Sequence, residues 1–488
     1  MVDLDTATAS EAVAALADGS LGSLELLDAL VDRVDQLDGP VNAVVALDVD
    51  RARDRARRAD ADRAAGRSWG PLHGLPMTIK DAFETEGLVT TSGAPELAHH
   101  VPATDADAVA RLKAAGAIVF AKTNLPLYAG DVQTFNEIYG RTNNPWDLTR
   151  SPGGSSGGAA AALATGTTLL ELGSDIGGSI RNPSHYCGVF GHKPTWGLVP
   201  QRGHIPGPPG VVTPTDLNVV GPMGRSVADL SLGLDVLAAD PFGLTGAILP
   251  APAARLASVG DLRVGVWLED AAAPTDRAVL DRLEAAVAAL EAAGARVVGE
   301  VRTPTTLEEQ HLVYLNLLSA AIAPGYPPDL LAFVDELAAG LAPDDTSRPA
   351  AMLRGMSQSH LDWGRVNEGR HRIARQWADV FDQVDVMLTP VTPVAALHHD
   401  TERPVDQRTV QVDGQTQPYL CQLVWAGLAT APGLPATVVP TGRTPDGLPV
   451  GIQIVGPAAG DRTTLRVGGW LEEILGGFAA PPRSPAGA

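Results

Sequence analysis

The stretch SPGGSSGGAAAALATGTTLLELGSDIGGSIRNP, residues 151–183, sets two glycine-flanked serines, Ser155 and Ser179, around an alanine-rich segment and an apolar run. Its second half, continuing into PSHYCGVFG, reads as a strand leaving the core at Leu172, a glycine-rich loop, and a helical turn starting near Ser179. At such a turn the free N–H groups of Ile176, Gly177, Gly178 and Ser179 converge on one point, and the glycines let a substrate carbonyl approach without meeting a Cβ. An oxyanion needs a nest of this kind. Alone, GGS would equally suit an ordinary strand-to-helix turn. The pairing with PGGSSGG, whose four glycines surround Ser155 and Ser156 and run straight into AAAALA, favours tight backbone approach over a solvated linker. No histidine lies between the two serines, so a base that activates either must come from elsewhere.

Working outward, the N-terminal side holds two amphipathic helical patterns, with Ser10 and Ser23 near their starts as caps, and a charged helix in RARDRARRADADRAAGRS. From PLHGLPMTIKDAF onward, apolar runs such as AIVFAKTN alternate with helical stretches such as DADAVARLKAAGA, the rhythm of strands crossed by helices. Between residues 200 and 222, proline and glycine are dense enough to predict an irregular, ordered loop that walls a site. After the proline-rich step LPAPAARLASVGD, the strand LRVGVWLED, the helix DRAVLDRLEAAVAALEAAGA and the strand RVVGEV form one βαβ unit. Residues 306–384 read as mostly helical, and ATVVPTGRTPDGLPVGIQIVG as two strands around a Pro-Asp-Gly turn before a last helix. With no repeat and no clear linker, the pattern predicts one large α/β domain over 65–480, with residues 1–64 a helical arm of the same domain.

The 488 residues carry a formal charge of −21, which would repel phosphate backbones and anionic lipid head groups, so neither nucleic acid nor a membrane is an expected partner. Cys187 and Cys421 are too few for a disulfide framework or a zinc site and predict two buried thiols in a reducing compartment. The start lacks a basic and then apolar leader, and no run of eighteen apolar residues follows, so the expected location is the cytoplasm. A homodimer is left open.

Only four lysines occur, and one of them, Lys80, ends the apolar run GLPMTIK, a buried strand by its pattern. Burial favours the neutral amine, which can act as a base, whereas a pairing with Asp81 would make Lys80 merely a strand-end charge.

The set GLPMTIKD, KTNLP, TNNPWD, PGGSSGG and GSDIGGSIRNPSHYCGVFGHKPTWG closely resembles the amidase signature family of serine hydrolases, and GLPVGIQIVGP resembles its C-terminal part. The resemblance spans about residues 65–475, with the motifs in family order and a 24-residue step between the two serines. It implies a central mixed, twisted sheet covered by helices on both faces. It also implies Ser179 as nucleophile, Lys80 as base, and Ser155 as proton relay with a cis peptide bond to Gly154. Ser156 would support the network, and Asp175 and Arg181 would form a structural ion pair. No metal or organic cofactor is implied. By the same alignment Tyr128, Ala129, Gly130 and Asp131 fall on the acyl-site wall, closed by the loop from His204 to Pro209. Tyr128 could as easily pack its ring, Asp131 cap a helix, and Trp425 belong to the core.

Two other chemistries compete. GGSSG matches a nucleophile elbow, but that motif needs a strand just before it, where this chain has TNNPWDLTRSP. The His99–His100 and His398–His399 steps lack helical metal-ligand spacing. Within the resemblance, a tRNA-dependent amidotransferase subunit that passes ammonia to a partner would share the triad. That subunit usually carries TNMDEFAMG-like residues where this chain has TNLPLYAGDVQTFNE, and Asn182, not an arginine, follows GGSIR. The expectation is therefore a stand-alone hydrolase of neutral amides, anilides or carbamates (urethanes) that works through an acyl-enzyme on Ser179. The amidotransferase subunit is the alternative.

Overall fold

The computed structural model describes residues 3–205, 209–238 and 256–482. Part of the proline-rich step, 249–255, and residues 206–208 of the expected loop lie outside the described residues. The chain opens with α1 (Ala9–Asp18), α2 (Ser23–Val41) and α3 (Val49–Ala64). Their caps differ from the expectation. Thr8, not Ser10, caps α1, in a reciprocal box with Glu11, and Ser10 donates through both N and Oγ to Asp229, at 2.8 and 2.9 Å. At α2 the N–H groups of Ser23 and Leu24 go to the carboxylate of Asp60 on α3, at 2.7 and 3.1 Å. A carboxylate is the stronger acceptor at a helix N-terminus, so it displaces the local hydroxyl.

The N-terminal arm is not wholly helical. Its β1 (Val44–Leu47) joins β2 (Pro76–Lys80) and β3 (Ile118–Thr123) in a three-stranded sheet of order β1-β3-β2, with α4 (Asp107–Ala114) crossing between β2 and β3. β1 runs antiparallel and β2 parallel to β3. A short ribbon, β4 (Phe135–Asn136) and β5 (Gly140–Arg141), precedes α5 (Gly157–Thr165). The serine loop follows, between β6 (Glu171–Asp175) and α6 (Arg181–Cys187). Next come β7 (Phe190–Lys193), β8 (Val219–Gly224) and α7 (Val227–Leu237), so the end of the stretch expected to be irregular is a strand. The βαβ unit appears as β9 (Arg263–Val266), α8 (Arg277–Ala292) and β10 (Arg296–Glu300), the two strands parallel. Four helices follow: α9 (Leu307–Ile322), α10 (Pro328–Ala339), α11 (Arg348–Ser357) and α12 (His360–Phe381). The chain ends in β11 (Val386–Pro390), the ribbon β12 (Thr409–Val412) and β13 (Gln415–Pro418), α13 (Val424–Thr430), the hairpin β14 (Ala436–Arg443) and β15 (Pro449–Val455), and α14 (Asp461–Leu475).

Eight strands form the central mixed sheet, in the order β10-β9-β11-β15-β14-β7-β8-β6. Successive strand residues point to opposite faces, and both faces are covered. Leu388, Ile452 and Ile454 pack with Leu283 and Leu290 of α8 and Leu465 and Leu471 of α14. Their neighbours Met387 and Val455 pack on the other side with Trp377 of α12, Trp425 of α13 and Trp267. Cys187 and Cys421 are free, buried thiols. Among the described residues no helix is long and apolar enough to cross a membrane.

Helix α5 brings the two sheets together. All nine of its residues are buried, and a Cβ on Gly158 would meet the backbone N and O of Asn124 at 2.4 and 2.5 Å. Only glycine lets the helix lie that close to the end of β3. Gly158→Ala is therefore expected to destabilise the protein by about 1–3 kcal/mol through overpacking. At the exposed Gly364 of α12, a Cβ would meet nothing within 4 Å, and Gly364→Ala is expected to stabilise by about 0.5–1 kcal/mol. Urea unfolding midpoints of the two variants against the parent check both.

Candidate active site

Lys80 closes β2, whose five residues are all buried. Its Nζ is hydrogen-bonded to Ser155 Oγ at 2.8 Å and to Ser174 Oγ at 2.9 Å. Burial pushes the amine down to about 7 against the pull of Asp175 and Glu171, so a large fraction is neutral near neutral pH. Asp81 is not its partner: that carboxylate accepts from Thr91 N at 3.0 Å and Thr91 Oγ1 at 2.5 Å, and its charge faces Lys122. Ser174, which nothing in the local sequence distinguishes from an ordinary strand serine, is the second partner of the lysine.

Ser155 follows a cis peptide bond to Gly154. A Cβ on Gly154 would meet Asp131 O at 2.7 Å and Gln133 N and O at 2.8 Å, so residues 131–133 lie directly on that peptide and admit no side chain there. Gly154 N donates to Asn182 Oδ1 at 3.3 Å. Ser156 joins the two serine loops, its N–H donating to Ser179 O at 3.1 Å and its hydroxyl to Ser174 O at 3.4 Å.

Ser179 lies in the loop between β6 and α6 and is 7% exposed. Helix α6 begins at Arg181, two residues later than expected, and the loop is held by Asp175. That carboxylate accepts from Gly178 N at 2.9 Å and Ile180 N at 3.1 Å, and from Arg181 Nε and Nη2 at 2.9 and 2.7 Å. Both partners of the ion pair are fully buried. Burial would raise the Asp175 carboxyl, but the Arg181 guanidinium holds it down at about 2. The same guanidinium donates to Ala426 O, Gln453 Oε1 and Thr430 Oγ1.

These bonds correct the expected oxyanion nest. The Gly178 N–H is spent on Asp175, whereas the N–H groups of Ile176, Gly177 and Ser179 have no partner among the described residues. From α9, Tyr314 Oη donates to Ile176 O at 2.9 Å and so fixes the orientation of the first peptide in the loop. Tyr314 sits in a helical stretch more than a hundred residues away, and only the tertiary fold brings it here.

The expected wall residues divide. Tyr128 and Ala129 both have positive φ, 48° and 56°, and the Tyr128 hydroxyl donates to Glu96 at 2.6 Å on the exposed side. Gly130 is exposed. Asp131 caps no helix: it pairs with Arg408 Nη1 at 2.6 Å, accepts the Tyr419 hydroxyl at 2.6 Å, and is 8% exposed. It thus pins the segment lying on Gly154 to the C-terminal part of the chain. His204 packs on Phe83 with ring centroids 4.9 Å apart. Trp425 is fully buried and packs edge-on against Trp267, a core residue.

A family model described as Amidase matches residues 25–465. The A subunit of glutamyl-tRNA(Gln) amidotransferase from Roseiflexus castenholzii is 38% identical, with 97% of each chain covered. Among solved structures, the A subunit of the same amidotransferase from Thermotoga maritima is 26% identical with a TM-score of 0.76, covering 99% of both chains. The structure of 6-aminohexanoate cyclic dimer hydrolase is 27% identical with a TM-score of 0.79, also over 99% of both. The full-length likeness to amidotransferase A subunits overturns the expectation of a stand-alone hydrolase. That expectation leaned on the departure at TNLPLYAGDVQTFNE, a segment whose Asp131 is engaged in pinning the fold and is a poor guide to substrate. The chain belongs to the amidase signature family, whose enzymes act on carbon–nitrogen bonds.

Proposed function

We propose that this chain is the amide-cleaving component of a tRNA-dependent amidotransferase, releasing nitrogen from a primary amide as ammonia for a partner protein. The observation that carries the chemistry is the hydrogen bond between the buried Lys80 amine and Ser155, beside a Ser179 loop with free N–H groups. Full-length similarity to A subunits supports the setting. A charge of −21 suits a chain that leaves the tRNA to its partner.

In this reading, neutral Lys80 accepts a proton from Ser155 as Ser155 takes one from Ser179, whose oxygen attacks the amide carbon. The N–H groups of Ile176, Gly177 and Ser179 hold the oxyanion. Collapse breaks the C–N bond while the proton returns through Ser155 to the leaving nitrogen, which departs as ammonia. A primary amide is required because any other would release an amine. Water, activated by the same relay, then cleaves the Ser179 ester. Asn182 and Ser156 hold the backbone before and after the Gly154–Ser155 peptide, and Asp175 with Arg181 shapes the loop.

The test is ammonia release from L-glutamine by the purified chain, first alone and then co-expressed with the other proteins of such a complex. Faster release in the assembly, and transfer of the nitrogen to charged tRNA, would support the reading; equal release with no assembly formed would overturn it. Ser179→Ala is expected to lower turnover by about 10⁴-fold or more, and Lys80→Ala by roughly 10²–10⁴-fold. Lys80→Arg should not rescue, because a guanidinium stays protonated. Because the base must be neutral and its pKa is lowered to about 7, kcat/KM is expected to fall about tenfold per unit below pH ~7 and to level off above it, which a pH–rate profile checks.

A further inference from the structure

The relay leaves one buried acid unused. Glu171, the first residue of β6, is 1% exposed. Its Oε1 accepts from the hydroxyls of Thr78 at 2.7 Å and Thr123 at 2.8 Å, and its Oε2 accepts from Leu172 N at 2.8 Å. The carboxylate is thereby tied to β2, β3 and β6 together. Thr78 lies two residues before Lys80 on β2 and so on the same face of the strand, while Ser174 of β6 holds the Lys80 amine itself. The strand pair that orients the lysine also orients the acid, yet Glu171 is bonded to neither Ser155 nor Ser179.

The other charged groups around the lysine are already matched. Asp175, at the far end of β6, is paired with Arg181, with Lys193 of β7 beside it. Asp81 faces Lys122 of β3, whose amine donates to Phe83 O. His204, from the segment bridged to Phe83, is held neutral by burial and by Lys80 itself. Glu171 remains as the carboxylate whose charge reaches both Lys80 and Lys122 through space, with a hydrogen bond to neither amine.

We propose that Glu171 is a positioning residue for the base: its charge stabilises the ammonium that forms on Lys80 when the lysine takes the Ser179 proton. The proposal rests on Lys80 being the base. Burial pushes the Glu171 carboxyl up to about 7 against its three donors and Lys122, so acid and amine titrate over the same range. The sign follows from charge. A nearby anion favours the protonated lysine, so removing it weakens the base: the neutral amine persists to lower pH, but accepts a proton less well once present.

The experiment needs no natural substrate. Phenylmethanesulfonyl fluoride forms an S–O bond to a reactive serine and expels fluoride, and intact-protein mass spectrometry follows the adduct rate from about pH 5.5 to 9. In Glu171→Gln the midpoint of the rising limb is expected to move down by on the order of one unit, with a several-fold lower plateau. Thr123→Val, which removes one donor and makes the carboxylate harder to ionise, is expected to move the midpoint the same way by less. It also serves as the test if Glu171→Gln does not fold. Superposition of the parent and variant profiles, or a drop in rate at every pH with an unmoved midpoint, would overturn the proposal. Failure of the lysine-base reading is separable: Lys80→Ala would then label Ser179 with the parent profile.

Discussion

The arrangement of the site depends on one buried ion pair. Asp175 and Arg181 lie on either side of the Ser179 loop with no exposed surface, and between them they fix Gly178, Ile180, Ala426, Thr430 and Gln453. A buried pair of this kind adds little net stability over an apolar replacement, but leaving one partner alone is costly, by about 3–5 kcal/mol. That asymmetry explains its use here. The pair favours one loop conformation because another would strand a charge, and in that conformation the carboxylate takes the Gly178 and Ile180 N–H groups but not those of Ile176, Gly177 and Ser179.

Much of the fold was legible because its signals are local. The β9–α8–β10 unit and the β14–β15 hairpin each carry their own periodicity and turn residues, and the burial of Lys80 follows from the apolar run it ends. What escaped reading was set by partners remote in sequence. Ser10 looks like a cap but is drawn to Asp229, and β1 looks like a gap between helices until β3 pairs with it. Ser174, Tyr314 and Glu171 have neighbourhoods no different from those of ordinary strand or helix residues; only their contacts single them out. The glycine-rich loop was legible, but which of its N–H groups stay free was not, since that depends on where the Asp175 carboxylate folds back.

The correction of function has the same root. Residues 123–137 carry the composition that separated the two readings, yet Asn124, Asp131 and Gln133 are bonded to other parts of the chain. Their identities answer first to packing. Similarity along the entire length averages over such local demands and is the better guide to what the site serves.

The distances in sequence across these contacts have a consequence for synthesis. Asp131 meets Arg408 across 277 positions, and Arg181 meets Gln453 across 272. Loop closure over such spans cannot occur until the second partner has been made, and strands β14 and β15 complete the sheet after its other six strands. The nascent polypeptide therefore carries both serines and the lysine well before the frame that brings them together has been made. The proposed site therefore takes its shape only after β15 has been made, so a chain stopped before that strand holds these residues without their arrangement.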